Sequence, residues 1–171
     1  MSGFDVLIPA RYGASRLPGK PLEEVGGLPL IGRVAERAAR SGADRVVVAT
    51  DDQRVADAVH GQGWEAVLTS DRCASGSDRL AEAAETLGLD SGRVVGNVQG
   101  DEPFIAPELI REVAEALLSD GEPGMATAAH PLERWEELFD PNVVKVVRDR
   151  LGNALYFSRA PIPWLREPLG Q

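Results

Sequence analysis

The stretch Ile8-Pro-Ala-Arg-Tyr-Gly-Ala-Ser-Arg-Leu-Pro-Gly-Lys20 follows directly on a short apolar run, Phe4 to Ile8. Strands covered on both faces read as continuous apolar stretches, so this run predicts a first buried strand. The residues after it put three cations (Arg11, Arg16, Lys20) and two glycines (Gly13, Gly19) into one loop. A loop at the carboxyl end of a first strand lies where open α/β sheets take up ligands. Glycine lets backbone N–H groups approach an anion, and arginine and lysine neutralise phosphate. The chain as a whole has formal net charge -9, so this cluster runs against its background. A solvated basic loop is the plain alternative. The order strand, cationic loop, helix argues for an anion cradle.

Outward from that loop the pattern alternates strand and helix. Pro29 to Ser41 predicts a helix with Ile31, Val34, Ala35 and Ala38 on one face and Gly42 as its stop. Arg45–Ala49 and Trp64–Thr69 predict strands, with a helix between them capped from Thr50-Asp51-Asp52. Gly76 to Leu87 predicts a helix with Ser77 as its cap, Arg93–Val98 a strand, and Pro107 to about Leu118 a helix. Met125–His130, Val143–Val147 and Ala154–Ser158 read as later strands, the last two an antiparallel pair across Asp149–Asn153. Such alternation predicts an α/β fold, a doubly wound, mostly parallel sheet with helices on both faces. Residues 1–171 are expected to form a single domain.

Composition excludes several classes. A hydrophobic fraction of 43% and a charged fraction of 26% are ordinary for a globular protein. No long apolar run or signal peptide is evident, and the one cysteine, Cys73, cannot form an internal disulfide. These features predict a cytoplasmic protein. The acidic balance argues against nucleic acid or an anionic membrane as partner. His60 and His130 have no metal-ligand spacing. Trp64, Trp135 and Trp164 are read as packing residues.

Three further segments can carry chemistry. Val98-Gln-Gly-Asp-Glu-Pro103 sets an acidic pair directly after an apolar strand. Magnesium takes hard oxygen ligands, usually one or two carboxylates plus substrate phosphate oxygens, which makes Asp101 a candidate ligand. An Asp–Glu turn exposed to water is the other reading. Ser75-Gly-Ser-Asp-Arg79 opens a helix and offers backbone N–H groups and hydroxyls. Those groups suit a base edge or a phosphate, and equally an ordinary cap. Finally, Ser158-Arg159 ends an aromatic strand, and arginine suits a carboxylate bidentately. A surface ion pair is the alternative there.

The wording Ile-Pro-Ala-Arg-Tyr-x-x-Ser-Arg-Leu-Pro-Gly-Lys-Pro-Leu at Ile8 to Leu22 resembles the signature of sugar nucleotidyltransferases. Within that superfamily it is most similar to the 3-deoxy-manno-octulosonate (Kdo) cytidylyltransferase family. The Gln-Gly-Asp-Glu-Pro and Ser-Gly-Ser-Asp-Arg segments match the same family. The resemblance implies transfer of a cytidylyl group from CTP to a Kdo-like sugar acid, with Mg2+ as cofactor, for lipopolysaccharide biosynthesis. It implies that Arg11, Lys20 and Asp101 are catalytic, with Asp101 holding the metal. Ala10, Arg11, Ser15, Arg16, Lys20, Ser75, Gly76, Ser77 and Arg79 would bind the nucleotide. Gln99 and Arg159 would face the sugar acid. Lys145 lies in Asn142–Val147, a segment that also matches the family, and is open between site and structure. Cys73 stands where relatives usually have histidine, and is read as a small apolar filler. The resemblance covers the chain, yet only about the first two thirds of the family's length. The carboxyl-terminal part is therefore expected to be absent, and the full-length form to be a homodimer. A related transferase for another sugar acid, or a nucleotide-binding module without turnover, are the competing functions.

Overall fold

A computed structural model describes residues 3–13, 17–119 and 124–164. The chain falls into two compact units, Met1–Thr127 and Ala128–Gln171. The first unit is built on four parallel strands: β1 (Phe4–Ala10), β4 (Arg45–Thr50), β5 (Glu65–Leu68) and β6 (Val94–Asn97). Their spatial order is β5-β4-β1-β6. The chain thus moves outward from β1 to β5, then returns across β1 to add β6 on the other side. The place where the order reverses, between the carboxyl ends of β1 and β6, is where open α/β sheets form a crevice.

Alternation along β1 builds a core on each face of the sheet. Val6, Ile8 and Ala10 point into a cluster with Ile31, Val34, Ala35 and Ala38 of α1 (Leu30–Ala39). Val55 and Val59 of α2 (Gln53–Gly61) and Ile110 and Ala114 of α4 (Pro107–Ser119) complete it. Leu7 points the other way, to Val47, Ala49 and the Leu80 and Ala83 side chains of α3 (Gly76–Thr86). Ile31 is fully buried, which stabilises the fold by about 1.5–3 kcal/mol. An aspartate there would place an unpaired charge in the core.

The ladder between β1 and β6 ends early. Its register runs from Phe4 opposite Val94 to Leu7 opposite Asn97, and the Val98 amide donates to the Leu7 carbonyl at 3.2 Å. On the opposite side, β1 stays paired with β4 as far as Ala10 opposite Thr50. Parallel ladders turn alternate residues to opposite neighbours, so Leu7 and Pro9 both direct their backbone toward β6. Pro9 has no N–H to donate there.

Local details refine the sequence reading. The helix after Ser75 is capped by Ser75 itself. Its hydroxyl accepts the Asp78 amide at 3.1 Å, while the Asp78 carboxylate accepts the Ser75 amide at 2.9 Å. That capping box moves the cap from Ser77 to Ser75, because only position 75 is three residues before a carboxylate. A hairpin not expected from periodicity pairs β2 (Glu24–Val25) with β3 (Leu28–Pro29). Its turn is Gly26-Gly27, with φ of 60° and 81°, the left-handed geometry that two-residue hairpins need. Among the described residues of 124–130 no strand forms. The small side chains there bury little, and Met125 is 87% exposed.

The second unit holds a short helix α5 (Trp135–Phe139) and the antiparallel pair β7 (Lys145–Arg148) and β8 (Ala154–Ser158). The pair and its turn at Asp149 to Asn153 are as expected. Trp135 and Phe139 meet edge to face at 5.2 Å between centroids. No helix among the described residues is long and apolar enough to cross a membrane.

Candidate active site

Two adjoining hollows open at the carboxyl ends of β1 and β6, of about 160 and 210 Å3. Both include Pro9, Arg11 and Gln99. The first adds Ala10, Lys20, Gly100 and Asp101; the second adds Cys73, Ser75, Gly76 and Arg79. Motifs far apart in sequence therefore share one sheet edge. Ser15 and Arg16 lie outside the described residues.

The loop after β1 turns back on itself through the Gly19 amide, which donates to the Tyr12 carbonyl at 2.8 Å. Gly19 has φ 79°, and a single 3-10 turn then runs from Lys20 to Leu22. The Arg54 guanidinium lies 3.6 Å from the centroid of the Tyr12 ring and bolsters the loop from outside. This folding brings Lys20 to Asp101, with Nζ and Oδ2 2.6 Å apart. Gly100 lets the second loop come close, since a Cβ there would sit 2.7 Å from the Pro9 carbonyl oxygen. Gly76 packs on the same proline from the other face, with its would-be Cβ 3.4 Å from Pro9 Cγ. The Gln99 amide donates to Asn97 Oδ1 at 3.0 Å.

The second hollow has a buried polar floor. Arg79 is 3% exposed at its side chain. Its Nη1 donates to Thr69 Oγ1 at 2.5 Å and its Nη2 to Asp51 Oδ2 at 2.9 Å. Thr69 Oγ1 in turn donates to the Thr50 carbonyl at 3.1 Å. Asp51 is a residue that motif reading passed over. The signal was available: it is the first carboxylate after a buried strand, at the edge that holds the other motifs. Ser77 is exposed in the first turn of α3. Cys73 is not an apolar filler. Its thiol donates to Glu82 Oε2 at 3.2 Å, and that bond, aided by desolvation, pushes the thiol pKa upward.

Two expected residues belong to the second unit. Lys145 is buried, and its Nζ donates to the carbonyls of Asp140, Val143 and Arg159 at 2.7–2.8 Å. These bonds give Lys145 a structural task, tying β7 to the end of β8. Arg159 is exposed and donates from Nη1 to the Pro141 carbonyl at 2.6 Å.

Among the described residues, Asp101 could take part in holding a hard divalent cation. Asp101 is 54% exposed at its side chain, and no cluster of three metal-ligating side chains occurs among the described residues. A lone accessible carboxylate fits magnesium shared with phosphate oxygens and water, and does not fit a closed cage.

Comparison with known proteins agrees with this geometry. The cytidylyltransferase family model matches residues 6–171. A 3-deoxy-manno-octulosonate cytidylyltransferase of Idiomarina loihiensis is 56% identical over 164 residues, 96% of this chain and 65% of the relative. One from Hahella chejuensis is 53% identical over 98% of this chain and 66% of its own length. A solved CMP:2-keto-3-deoxy-manno-octonic acid synthetase complexed with CTP superposes with TM-score 0.88 at 42% identity, covering 95% of this chain and 67% of that one. This chain thus spans about 65% of the length of the curated relatives it matches. With the sheet order, the crevice and the matched segments in agreement, the chain belongs to the cytidylyltransferase family.

Proposed function

We propose that this chain carries the nucleotide site of a CMP-Kdo synthetase, which joins CTP and 3-deoxy-manno-octulosonate to give CMP-Kdo and pyrophosphate. The meeting of Arg11, Lys20, Gln99 and Asp101 at the switch point between β1 and β6 is the observation that carries the reading. In the reaction the sugar's anomeric hydroxyl attacks the α-phosphorus of CTP. A new P–O bond forms, the bond to the β-bridging oxygen breaks, pyrophosphate leaves, and the hydroxyl proton passes to solvent. Such a transfer needs positioning and charge stabilisation more than a covalent intermediate.

Arg11 and Lys20 offset negative charge on the outer phosphates. Asp101 would hold Mg2+, which when bound neutralises phosphate charge. Before substrate arrives, the Lys20 ammonium occupies that carboxylate. The Ser75 amide and hydroxyl are taken up by Asp78 in the helix cap, which leaves the amides of Gly76 and Ser77 and the Ser77 hydroxyl for the nucleoside end, and Arg79, buried beneath them, fixes their helix start. Gln99 stands between the two hollows, toward the sugar acid. Arg159 as an anchor for the sugar carboxylate, and a homodimer in cytoplasmic lipopolysaccharide synthesis, rest on the family likeness alone.

Calorimetry of CTP with and without Mg2+ tests the reading. Asp101→Asn is expected to abolish the Mg2+-dependent part of CTP binding with an unchanged melting temperature. An unaltered isotherm removes Asp101 from the metal site, and equal binding of all four ribonucleoside triphosphates removes the cytidylyl assignment.

A further inference from the structure

Asp51 lies just past the end of β4, and three segments of the first unit meet on its carboxylate. Its side chain is 10% exposed. Oδ1 accepts the Tyr12 amide at 3.2 Å, and Oδ2 faces Arg79 Nη2 at 2.9 Å and Arg11 Nε at 3.6 Å. The two arginines are held in different ways. Arg79 is shut in, and its charge is answered by Asp51 at short range. Arg11 is 55% exposed at its side chain, and it is the inner Nε that faces Asp51. Its terminal nitrogens lie farther from that carboxylate and make no hydrogen bond to the described residues. A guanidinium is a rigid planar fork. At 3.6 Å the attraction on the Nε side is an ion pair without a hydrogen bond; it biases the guanidinium toward Asp51 and leaves both terminal nitrogens for oxygens of a ligand in the crevice. The Tyr12 amide bond to the other oxygen of Asp51 pins the backbone at the same step.

We propose that Asp51 is a positioning residue for Arg11, aiming its terminal nitrogens at the triphosphate. The proposal rests on the reading of the crevice as a CTP site. Asp51 touches no substrate atom in this role. It acts by limiting the rotamers of Arg11, so that less freedom is lost when the phosphate arrives.

A double-mutant cycle on CTP affinity tests it, using calorimetry in Mg2+ on the parent chain, Asp51→Asn, Arg11→Ala and the double variant. Asp51→Asn also removes a negative charge near the phosphates and leaves Arg79 without its partner. Those effects are present with or without Arg11 and cancel in the cycle. The factor by which Asp51→Asn weakens binding is expected to be about three- to five-fold larger in the parent chain than in the Arg11→Ala background. The same factor in both backgrounds overturns the proposal and makes Asp51 a partner of Arg79 alone. If circular dichroism finds Asp51→Asn unfolded, Asp51→Glu runs through the same cycle. It keeps a charge beside Arg79 while displacing the oxygens from Arg11. Absence of CTP binding by the parent chain overturns the CTP reading and this proposal together, whereas binding with equal factors overturns the positioning role only.

Discussion

Replacing Gly100 by alanine asks whether the crevice depends on the close approach of two strand ends. A Cβ at this position would lie 2.7 Å from the Pro9 carbonyl oxygen and 3.5 Å from Ile31 Cδ1. Carbon and carbonyl oxygen rest at about 3.3 Å or more, so the partners must part by about 0.6 Å. Pro9 belongs to a central strand, hydrogen-bonded to β4 and packed on both faces, and it does not yield easily. The segment that moves is then the loop carrying Asp101. Overpacking of this kind costs about 1–3 kcal/mol. In a chain of this size each kcal/mol lowers Tm by about 2–4 °C, so Gly100→Ala should lose roughly 2–12 °C. It should also weaken Mg2+-dependent CTP binding, because the loop shifts Asp101 away from Lys20 and the phosphates. Calorimetric melts and CTP titrations of the same preparation measure both. A variant with parental Tm and parental CTP affinity refutes the packing argument. A lowered Tm with parental affinity means that β1 gives way and the loop does not.

Two other outcomes are expected. The Lys20–Asp101 pair is half exposed and worth at most about 1 kcal/mol. Lys20→Met should therefore raise Mg2+ affinity without nucleotide by up to about five-fold while lowering CTP affinity, and a fall in Mg2+ affinity sinks this reading. The bond from Cys73 to Glu82 is the main cause that raises the thiol pKa. The thiolate fraction at a given pH is thus below that of a free cysteine, and Glu82→Gln should shift the pH profile of iodoacetamide labelling downward. Labelling profiles that superpose would remove Glu82 as the cause.

The legible parts of this molecule were those in which one residue type permits one local solution. The valines of β4 and the one-sided apolar spacing of α1 allow little else, and both elements stand within a few residues of expectation. Gly26-Gly27 carried a readable hairpin signal, but the flanking strands are two residues each, too short for period-two alternation to register. The exchange of Ser77 for Ser75 as cap came from reading helix start by periodicity, where the reciprocal Ser75 and Asp78 bonds decide it. Met125 to His130 reads as a strand on paper, yet such a run forms one only when there is something to bury. Within the site, the cationic loop was legible because its residue types have few reasons to cluster otherwise, whereas the Gln-Gly-Asp-Glu-Pro segment, alone also readable as an exposed turn, drew its reading from that loop and from the family resemblance. Asp51 was not, because Asp52 next to it makes the helix cap and explains the pair at first sight. Only the coordinates separate the carboxylate that caps from the one that holds two arginines.

The early end of the β1–β6 ladder has a bearing on how ligand finds its place. A gap between neighbouring parallel strands would ordinarily tend to zip shut, since each further pairing satisfies a donor and an acceptor. At Pro9 that closure is barred by covalent structure, as the missing hydrogen lies on the very side that faces β6. Past the Leu7–Val98 bond the ladder therefore cannot continue through the Pro9 nitrogen, although Gly100 still packs against the Pro9 carbonyl on that side. Where the ladder stops is thus fixed by covalent structure, one imino acid in an otherwise regular strand, and does not wait on the ligand.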